Sequence, residues 1–452
     1  MLGKLLFPTI EELIRDRDFR ALKDHLSSLP AADIADIIDD LHESRLTVIF
    51  RLLPKQKATE VFEYLDVEQQ EELLESLSRE QVKGILEEMS VDDRTTLLDE
   101  VPPEVASQLL ELLPAEDRKL AQSILNYPED SVGRLITPDY VSLSAEMTVG
   151  EALNKIRRFG RDLETVYACY VIGQRRKLLG FISLRKLVTS SLDVRIEDIY
   201  DRNFVYLSTD TPQEEAVDLL RRYDLIALPV LDSDGNMVGI VTFDDIMDVA
   251  EEEFREDMDR MAAVVPSADH DFLDEPIVKG VWRRVPWLLI LLVVQAAAAS
   301  VLSQYDVLLE QFIAVAFFVP ALTATGGNTG TQAAVMVIRA LATGEVTMKD
   351  IGVLFWRSTL AGLLLAVLLG IGGFLLAVVI NRSPLIGVCV AGGMATVVIL
   401  SNFAGTLLPL LLKRFGLDPA LMSGPFISTL VDVAGLVVYL QISQLILIRF
   451  AS

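Results

Sequence analysis

Five apolar stretches, residues 285–304, 311–341, 355–380, 385–412 and 420–448, fill the end of this 452-residue chain. About 20 apolar residues cross a bilayer as a helix, so each stretch is long enough to span. Backbone in lipid must satisfy its own hydrogen bonds, and for single segments only a helix does so. The expected architecture over 279–452 is therefore an α-helical transmembrane pore domain of five helices. Five crossings put its two flanks on opposite sides. Lys279, Arg283, Arg284, Arg339, Lys349, Arg357, Lys413 and Arg414 then fall on the side of the N-terminal half, and Arg382 and Arg449 on the other. The positive-inside rule places the first group in the cytoplasm and the C-terminus outside. The opening "MLGKLLFPTIEELIRDRD" becomes charged too early for a secretory leader, which agrees.

Charge divides the chain at the same place. Of 65 Asp and Glu only six follow residue 275, and of 40 Lys and Arg only ten, so the first 275 residues carry −29 and the rest +4. Phosphate backbones would be repelled, which argues against nucleic acid as a partner. A cationic partner and simple solubility both remain open. Cys169 and Cys389 lie far apart in apolar runs and make no metal-spaced pair. His25, His42 and His270 form no cluster, and no nucleophile and base can be paired, so the expectation is a protein that is not an enzyme.

Residues 25–125 repeat with a period of twelve. Leu29, Leu41, Leu53, Leu65, Leu77, Met89, Val101 and Leu113 recur in register, each followed by a turn or cap type: Pro30, His42, Pro54, Asp66, Ser78, Ser90, Pro102, Pro114. About eight positions on, an apolar pair returns, from Ile37–Ile38 to Leu109–Leu110. Proline suits the first helical turn and Ser or Asp caps the same end. Each unit reads as one short helix, too short to stand alone. Stacking such units buries a continuous seam, which predicts an all-α superhelical repeat domain over 1–130.

A longer repeat follows. "ACYVIGQRRKLLGFISLRKL" (168–187) aligns with "ALPVLDSDGNMVGIVTFDDI" (227–246) at an offset of 59, matching Val171 to Val230, Gly180 to Gly239 and Ser183 to Thr242. A helix-patterned stretch precedes each copy, so each reads helix, strand, tight turn, strand, helix. These copies resemble tandem α/β cystathionine-β-synthase (CBS) domains, placed at 131–200 and 201–252, a fold that pairs through its sheets and commonly senses nucleotides or ions. In nucleotide-binding members an acid often follows the Ser or Thr by three positions. The second copy has Asp245 there, whereas the first has Lys186.

"FDDIMDVAEEEFREDMDR" (243–260) carries Asp245, Asp248, Glu252 and Glu256 on one helical face, where several like charges repel at i,i+4. Mg²⁺ takes oxygen ligands and keeps several waters, so a loose carboxylate surface suits it. A solvated linker helix would look the same.

Two motifs bring polar groups to membrane depth. "PALTATGGNTGTQAA" (320–334) puts three glycines, Asn328 and Gln332 there. Backbone may leave the helix only where it is buried in protein or lines water, so a departure from helix with carbonyl ligands is expected, with a packing seam as the alternative. In "GLDPALMSGPFISTLVDVAGL" (416–436), Ser423, Gly424 and Pro425 break the start of the last span, and Asp432 follows seven residues after Pro425 with Ser428 and Thr429 near its face. An ionised Asp at the centre of a spanning helix costs roughly 3 kcal/mol on insertion scales. Carboxylate rings select cations, and a single Asp becomes a ring only through oligomerisation, most simply a two-fold dimer.

In the order of its parts, from about residue 20 to the C-terminus, the chain resembles the MgtE family of magnesium channels and transporters. The motifs that carry this are "VPALTATGGNTGTQ", "LDPALMSGPFISTLVDVAGL" and "YDLIALPVLDSDGNMVGIVTFDDIMDV". The resemblance implies a homodimer in a bacterial-type plasma membrane, with a connecting (plug) helix at 253–278. It also implies a hydrated Mg²⁺ at a pore carboxylate on the two-fold axis, and cytoplasmic Mg²⁺ that draws the acidic domains together and closes the gate.

Carried over by position, the pore carboxylate is Asp432, with Gly424, Ser428 and a Gly326–Gly330 loop (Gly326, Gly327, Asn328, Thr329, Gly330) beside it. The cytoplasmic acids are Glu60, Asp92, Asp93, Glu214, Asp224, Asp245, Asp248, Glu253, Glu256 and Asp257, with Asp418. Gly424 stands where the family pattern has Asn, Pro212 takes another acid position, and Lys186 weakens an ATP site.

The function expected is a Mg²⁺-selective channel or transporter for magnesium uptake, gated shut by cytoplasmic Mg²⁺. A proton- or ion-coupled divalent cation carrier and a membrane-tethered nucleotide sensor are the alternatives.

Overall fold

The twelve-residue period is written directly into the backbone. In the computed structural model, which describes residues 2–16, 18–39, 41, 46–161, 163–266, 275–421 and 424–450, ten helices open the chain. They are α1 (Leu2–Arg15), α2 (Phe19–Ser27), α3 (Ala31–Asp39), α4 (Leu46–Leu52), α5 (Lys55–Glu63), α6 (Val67–Ser76), α7 (Arg79–Glu88), α8 (Val91–Glu100), α9 (Pro103–Leu112) and α10 (Ala115–Leu125). From α5 to α10 each helix begins twelve residues after the last. Asp66, Ser78 and Ser90 each accept a backbone N–H from three residues on, while Pro54, Pro102 and Pro114 occupy the same position without a side-chain bond. The expected cap at His42 lies outside the described residues. Leu29, Leu53, Leu65, Leu77, Met89, Val101 and Leu113 are buried, as are Ile37, Ile38, Val61, Phe62, Ile85 and Leu86. Each such side chain stabilises by about 1.5–3 kcal/mol against an entropy cost of similar size, so the helices hold only as a stack.

Two copies of one α/β module follow. The first has β1 (Tyr140–Leu143), α11 (Val149–Phe159), β2 (Thr165–Ile172), β3 (Leu178–Ser183) and α12 (Leu184–Thr189). The second has β4 (Leu207–Ser208), α13 (Gln213–Tyr223), β5 (Ala227–Leu231), β6 (Met237–Thr242) and α14 (Phe243–Met261). In each, the first strand pairs parallel with the second and the second antiparallel with the third. Val171 faces Gly180 as Val230 faces Gly239, so the 59-residue offset is a register identity. Each glycine answers a close approach. A Cβ on Gly180 would lie 2.1 Å from the carbonyl of Asp201, and one on Gly239 would lie 2.1 Å from Ile136. Tyr140, Ala168, Tyr170, Ala227, Met237 and Ile240 form one apolar cluster from both copies, which pairs the modules through their sheets.

The chain divides into two compact units, Met1–Ala250 and Glu251–Ser452. The second holds α15 (Ile277–Ser303), α16 (Asp306–Gln311), α17 (Ile313–Ala316), α18 (Val319–Ala342), α19 (Ile351–Asn381), α20 (Pro384–Arg414) and α21 (Gly424–Phe450). Among the described residues, α15, α19, α20 and α21 are the four helices long and apolar enough to cross a membrane. The 24-residue α18 is long enough too but carries the Gly, Thr, Asn and Gln of its motif. Where a single span over 311–341 is expected, two short helices precede α18. No separate helix covers 253–278 among the described residues: α14 starts in the second module and runs to Met261, and residues 267–274 lie outside the description.

Candidate functional site

The membrane half presents a polar face around Asp432. α21 places Pro425, Ser428, Thr429 and Asp432 on one side, by helical spacing. Asp432 is half-buried, and among the described residues nothing pairs with it or donates to it. A lone carboxylate at this depth is retained where it meets water or an ion.

Beside it stands α18, and here one expectation is corrected: residues 326–330 are not a loop but part of a continuous helix. The hydroxyls of Thr325 and Thr329 donate to the carbonyls of Ala321 and Thr325, at 2.7 and 2.8 Å, and so need no outside partner. The glycines are there for contact. A Cβ on Gly327 would lie 2.3 Å from Ser428 Oγ, and one on Gly405 of α20 would lie 2.2 Å from the carbonyl oxygen of Gly330. Gly326, Gly327, Thr329 and Gly330 are accordingly buried, while Asn328 and Gln332, one turn apart, are exposed. Thr331 Oγ1 donates to the carbonyl of Gly424 at 3.2 Å, tying the start of α21 to α18. Residue Ser423 lies outside the described residues.

In the first unit, carboxylates from three parts of the chain converge. Asp92 and Asp93 open α8, Glu63 closes α5, Asp139 and Glu164 flank strands of the first module, and Asp244, Asp245 and Asp248 open α14. Burial, then the charges of Asp93, Asp92 and Glu60, raise Glu63 to about 7. Burial and Asp92 raise Asp93 to about 6, with Asp244 and Asp248 adding to it. Burial followed by Asp92 and Asp244 raises Glu164 to about 7. Asp245 is pushed well above the usual carboxylate range by burial and Asp92, although the Thr242 hydroxyl donates to it at 2.6 Å. Asp92 is buried and its Oδ1 has no hydrogen-bond partner. Arg94 is the nearby cation, donating to the Leu86 carbonyl at 3.0 Å.

The other expected acids lie apart from this cluster or on its edge. Glu60 pairs with Lys57 at 3.2 Å. Glu214 is exposed in the first turn of α13, and Asp224 caps its end with a left-handed backbone (φ 50°). In the second unit Glu253, Glu256 and Asp257 share α14, and Arg260 binds both Glu256 and Asp418. No three His, Cys, Asp or Glu side chains among the described residues form a close-packed metal cage. Sequence reasoning missed Glu63, Asp139, Glu164 and Arg260. Glu63 repeats Glu60 at one helical turn and was findable; the approach of Asp139 and Glu164 has no spacing signal.

An acidic cytoplasmic-type module on a helical membrane domain with a lone intramembrane carboxylate is the build of a regulated cation transporter. Residues 319–442 match the divalent cation transporter model of the MgtE family, 29–130 its intracellular N domain, and 132–193 and 196–252 the CBS domain. The chain belongs to the MgtE family. It is 40% identical over 334 residues, 73% of each chain, to the magnesium transporter MgtE of Thermus thermophilus. To that of Bacillus subtilis it is 33% identical, over 73% of this chain and 72% of the other. Among solved structures it is similar to the cytosolic domain of the Mg²⁺ channel MgtE in complex with ATP, with a TM-score of 0.52 and 38% identity over 54% of this chain and all of that one. The soluble part of a magnesium transporter matches with a TM-score of 0.52 and 26% identity, over 56% of this chain and 99% of the other.

Proposed function

We propose that this protein carries Mg²⁺ through the membrane as a homodimer, with two Asp432 carboxylates at the two-fold axis, and that cytoplasmic Mg²⁺ shuts it. The single observation that carries this is the half-buried Asp432, unpaired among the described residues, on one face of α21 with Ser428 and Thr429. A second copy placed there turns one carboxylate into a cation-selecting pair. The named relatives support Mg²⁺ as the ion.

The distribution of charges supports a five-crossing topology. Arg283, Arg339, Arg357, Lys413 and Arg414 sit at the start of α15, the end of α18, the start of α19 and the end of α20, all consistent with one cytoplasmic side. α21 then ends outside.

Regulation rests on the acidic cluster. Carboxylates whose hold on protons is raised by burial, and then by neighbouring acids, exchange those protons for a divalent cation. Binding that favours the packed state shifts the population toward it and closes the pore. In this reading Asp245 serves the cation cluster, and with Lys186 at the matching place in the first module, ATP is a weak modulator at most.

The test is Mg²⁺ flux into liposomes holding the full chain, at low and high internal Mg²⁺. Asp432→Asn should reduce flux at least about tenfold, the effect of losing a charged contact worth more than 1.4 kcal/mol. Asp245→Asn with Asp93→Asn should keep flux but weaken closure. Unaltered flux in Asp432→Asn would overturn the pore assignment.

A further inference from the structure

Between α19 and α20 the helix pair holds a small, mostly apolar notch with a few polar side chains, which the transport reading does not use. It is a cavity of ≈ 30 Å³ in which Ser358, Thr359, Asn402 and Thr406 are set among Phe355, Gly362, Ile399 and Phe403. That is about the room one water needs. Asn402 is buried, and its amide nitrogen donates to the Ser358 carbonyl and hydroxyl at 2.8 and 2.9 Å. Its Oδ1 accepts from no group among the described residues. Its apolar side chains open outward: Ile399 is 40% and Phe403 42% exposed.

Helical spacing aligns this notch with the basic pair. Asn402, Thr406 and Lys413 lie on one stripe of α20, and Phe403, Leu407 and Arg414 on the next. Lys413 stands seven residues beyond Thr406, about 10 Å at 1.5 Å per residue. Side chains on a helix lean toward its N-terminus, which for α20 points back into the bilayer and toward the notch. Among the described residues no acid pairs with Lys413 or Arg414.

We propose that this face is a binding site for one anionic phospholipid of the cytoplasmic leaflet. The proposal rests on the membrane topology given above. Lys413 and Arg414 hold the phosphate. Below it the glycerol backbone reaches the Thr406 end of the notch. The first acyl segment lies over Phe403 and Ile399. Charge complementarity selects the occupant: a cationic pair above an apolar groove fits a lipid with a negative head, and a zwitterionic lipid fits it less well.

The experiment is native mass spectrometry of the full-length protein in detergent, with phosphatidylglycerol or phosphatidylcholine added at equal concentration. Wild type should retain one phosphatidylglycerol per protomer about thirtyfold more strongly than phosphatidylcholine. Lys413→Gln with Arg414→Gln should abolish that preference. Ile399→Trp, which fills the rim and leaves both charges, should lower retention of both lipids. Equal retention of the two lipids by wild type, or displacement of phosphatidylglycerol by excess inorganic phosphate, would overturn the site. So would disulfide-linked dimers of an Ile399→Cys variant, because a second copy would then cover the face. Mg²⁺ flux of the same preparations reports on the transport reading independently, since lipid retention can fail while flux persists.

Discussion

Arg260 Nη1 donates to Asp418 Oδ2 across 2.7 Å, and the other arm of the same guanidinium binds Glu256. One cation thus joins α14 to the turn that leads into α21, the helix that carries Asp432. Both acids are ones the family resemblance assigns to Mg²⁺. In this chain arginine already neutralises them, with all three side chains about 30% exposed. A partly exposed pair of this kind is worth up to about 1 kcal/mol.

Where Glu256 and Asp418 serve Mg²⁺ as proposed, Arg260 competes with it for them. Replacing it, Arg260→Gln, frees the carboxylates of this pairing, so the internal Mg²⁺ concentration that halves flux should fall by up to about fivefold. Liposome flux against internal Mg²⁺ measures this. A shift to higher Mg²⁺ would mean instead that the arginine itself holds the closed arrangement.

The pH response of the soluble half follows from the raised acids. Glu63 near 7, Asp93 near 6 and Glu164 near 7 bind protons in the folded state that they release when unfolded. Their stabilising contribution is complete below about pH 4 and is lost as pH rises through 6 to 7. Without Mg²⁺ the thermal unfolding midpoint should fall from pH 5 to pH 8. With Mg²⁺ saturating the cluster the fall should shrink, and binding at pH 7 should release protons into a weak buffer. A midpoint independent of pH in Mg²⁺-free buffer would contradict the convergence of these acids.

How much of this was legible in the sequence depends on range. The repeat helices were readable because Leu29 to Leu113 recur at one period and Ser78 or Pro102 mark each start, both local signals. The paired modules were readable because Gly180 and Gly239 answer the same crowding. The membrane helices followed from apolar length, but the state of 326–330 did not. Glycine lowers helix propensity in water, yet on α18 it persists as helix because Gly327 and Gly330 let Ser428 and Gly405 come close. Arg260 gave no warning either, since its two partners stand 4 and 158 residues away.

That packing is itself testable. Gly327→Ala puts a methyl 2.3 Å from Ser428 Oγ and should destabilise the membrane unit by about 1–3 kcal/mol through overpacking. Ser428→Gly should recover most of the loss in the double variant, read as Tm of the full chain in detergent. Additive losses would show that the two residues do not touch.

The last prediction concerns Gly424, which stands where the resemblance leads one to expect Asn. A side chain there has a neighbour to meet: a Cβ on Gly424 would lie 2.8 Å from Thr331 Cγ2. The same threonine donates its hydroxyl to the Gly424 carbonyl at 3.2 Å. Glycine and Thr331 are therefore a matched pair, and Gly424→Asn alone should lower flux of every ion by displacing the start of α21. In Gly424→Asn with Thr331→Ser the clashing methyl is gone and the hydroxyl remains. That double variant places an amide one turn from Ser428 on the polar face and adds a ligand for a hydrated cation. Its flux ratio of Mg²⁺ to Mn²⁺ and Ca²⁺ should rise above that of wild type, by about threefold to tenfold for one added net hydrogen bond. A ratio equal to wild type, with flux restored, would remove residue 424 from ion selection and leave the task to Asp432 alone.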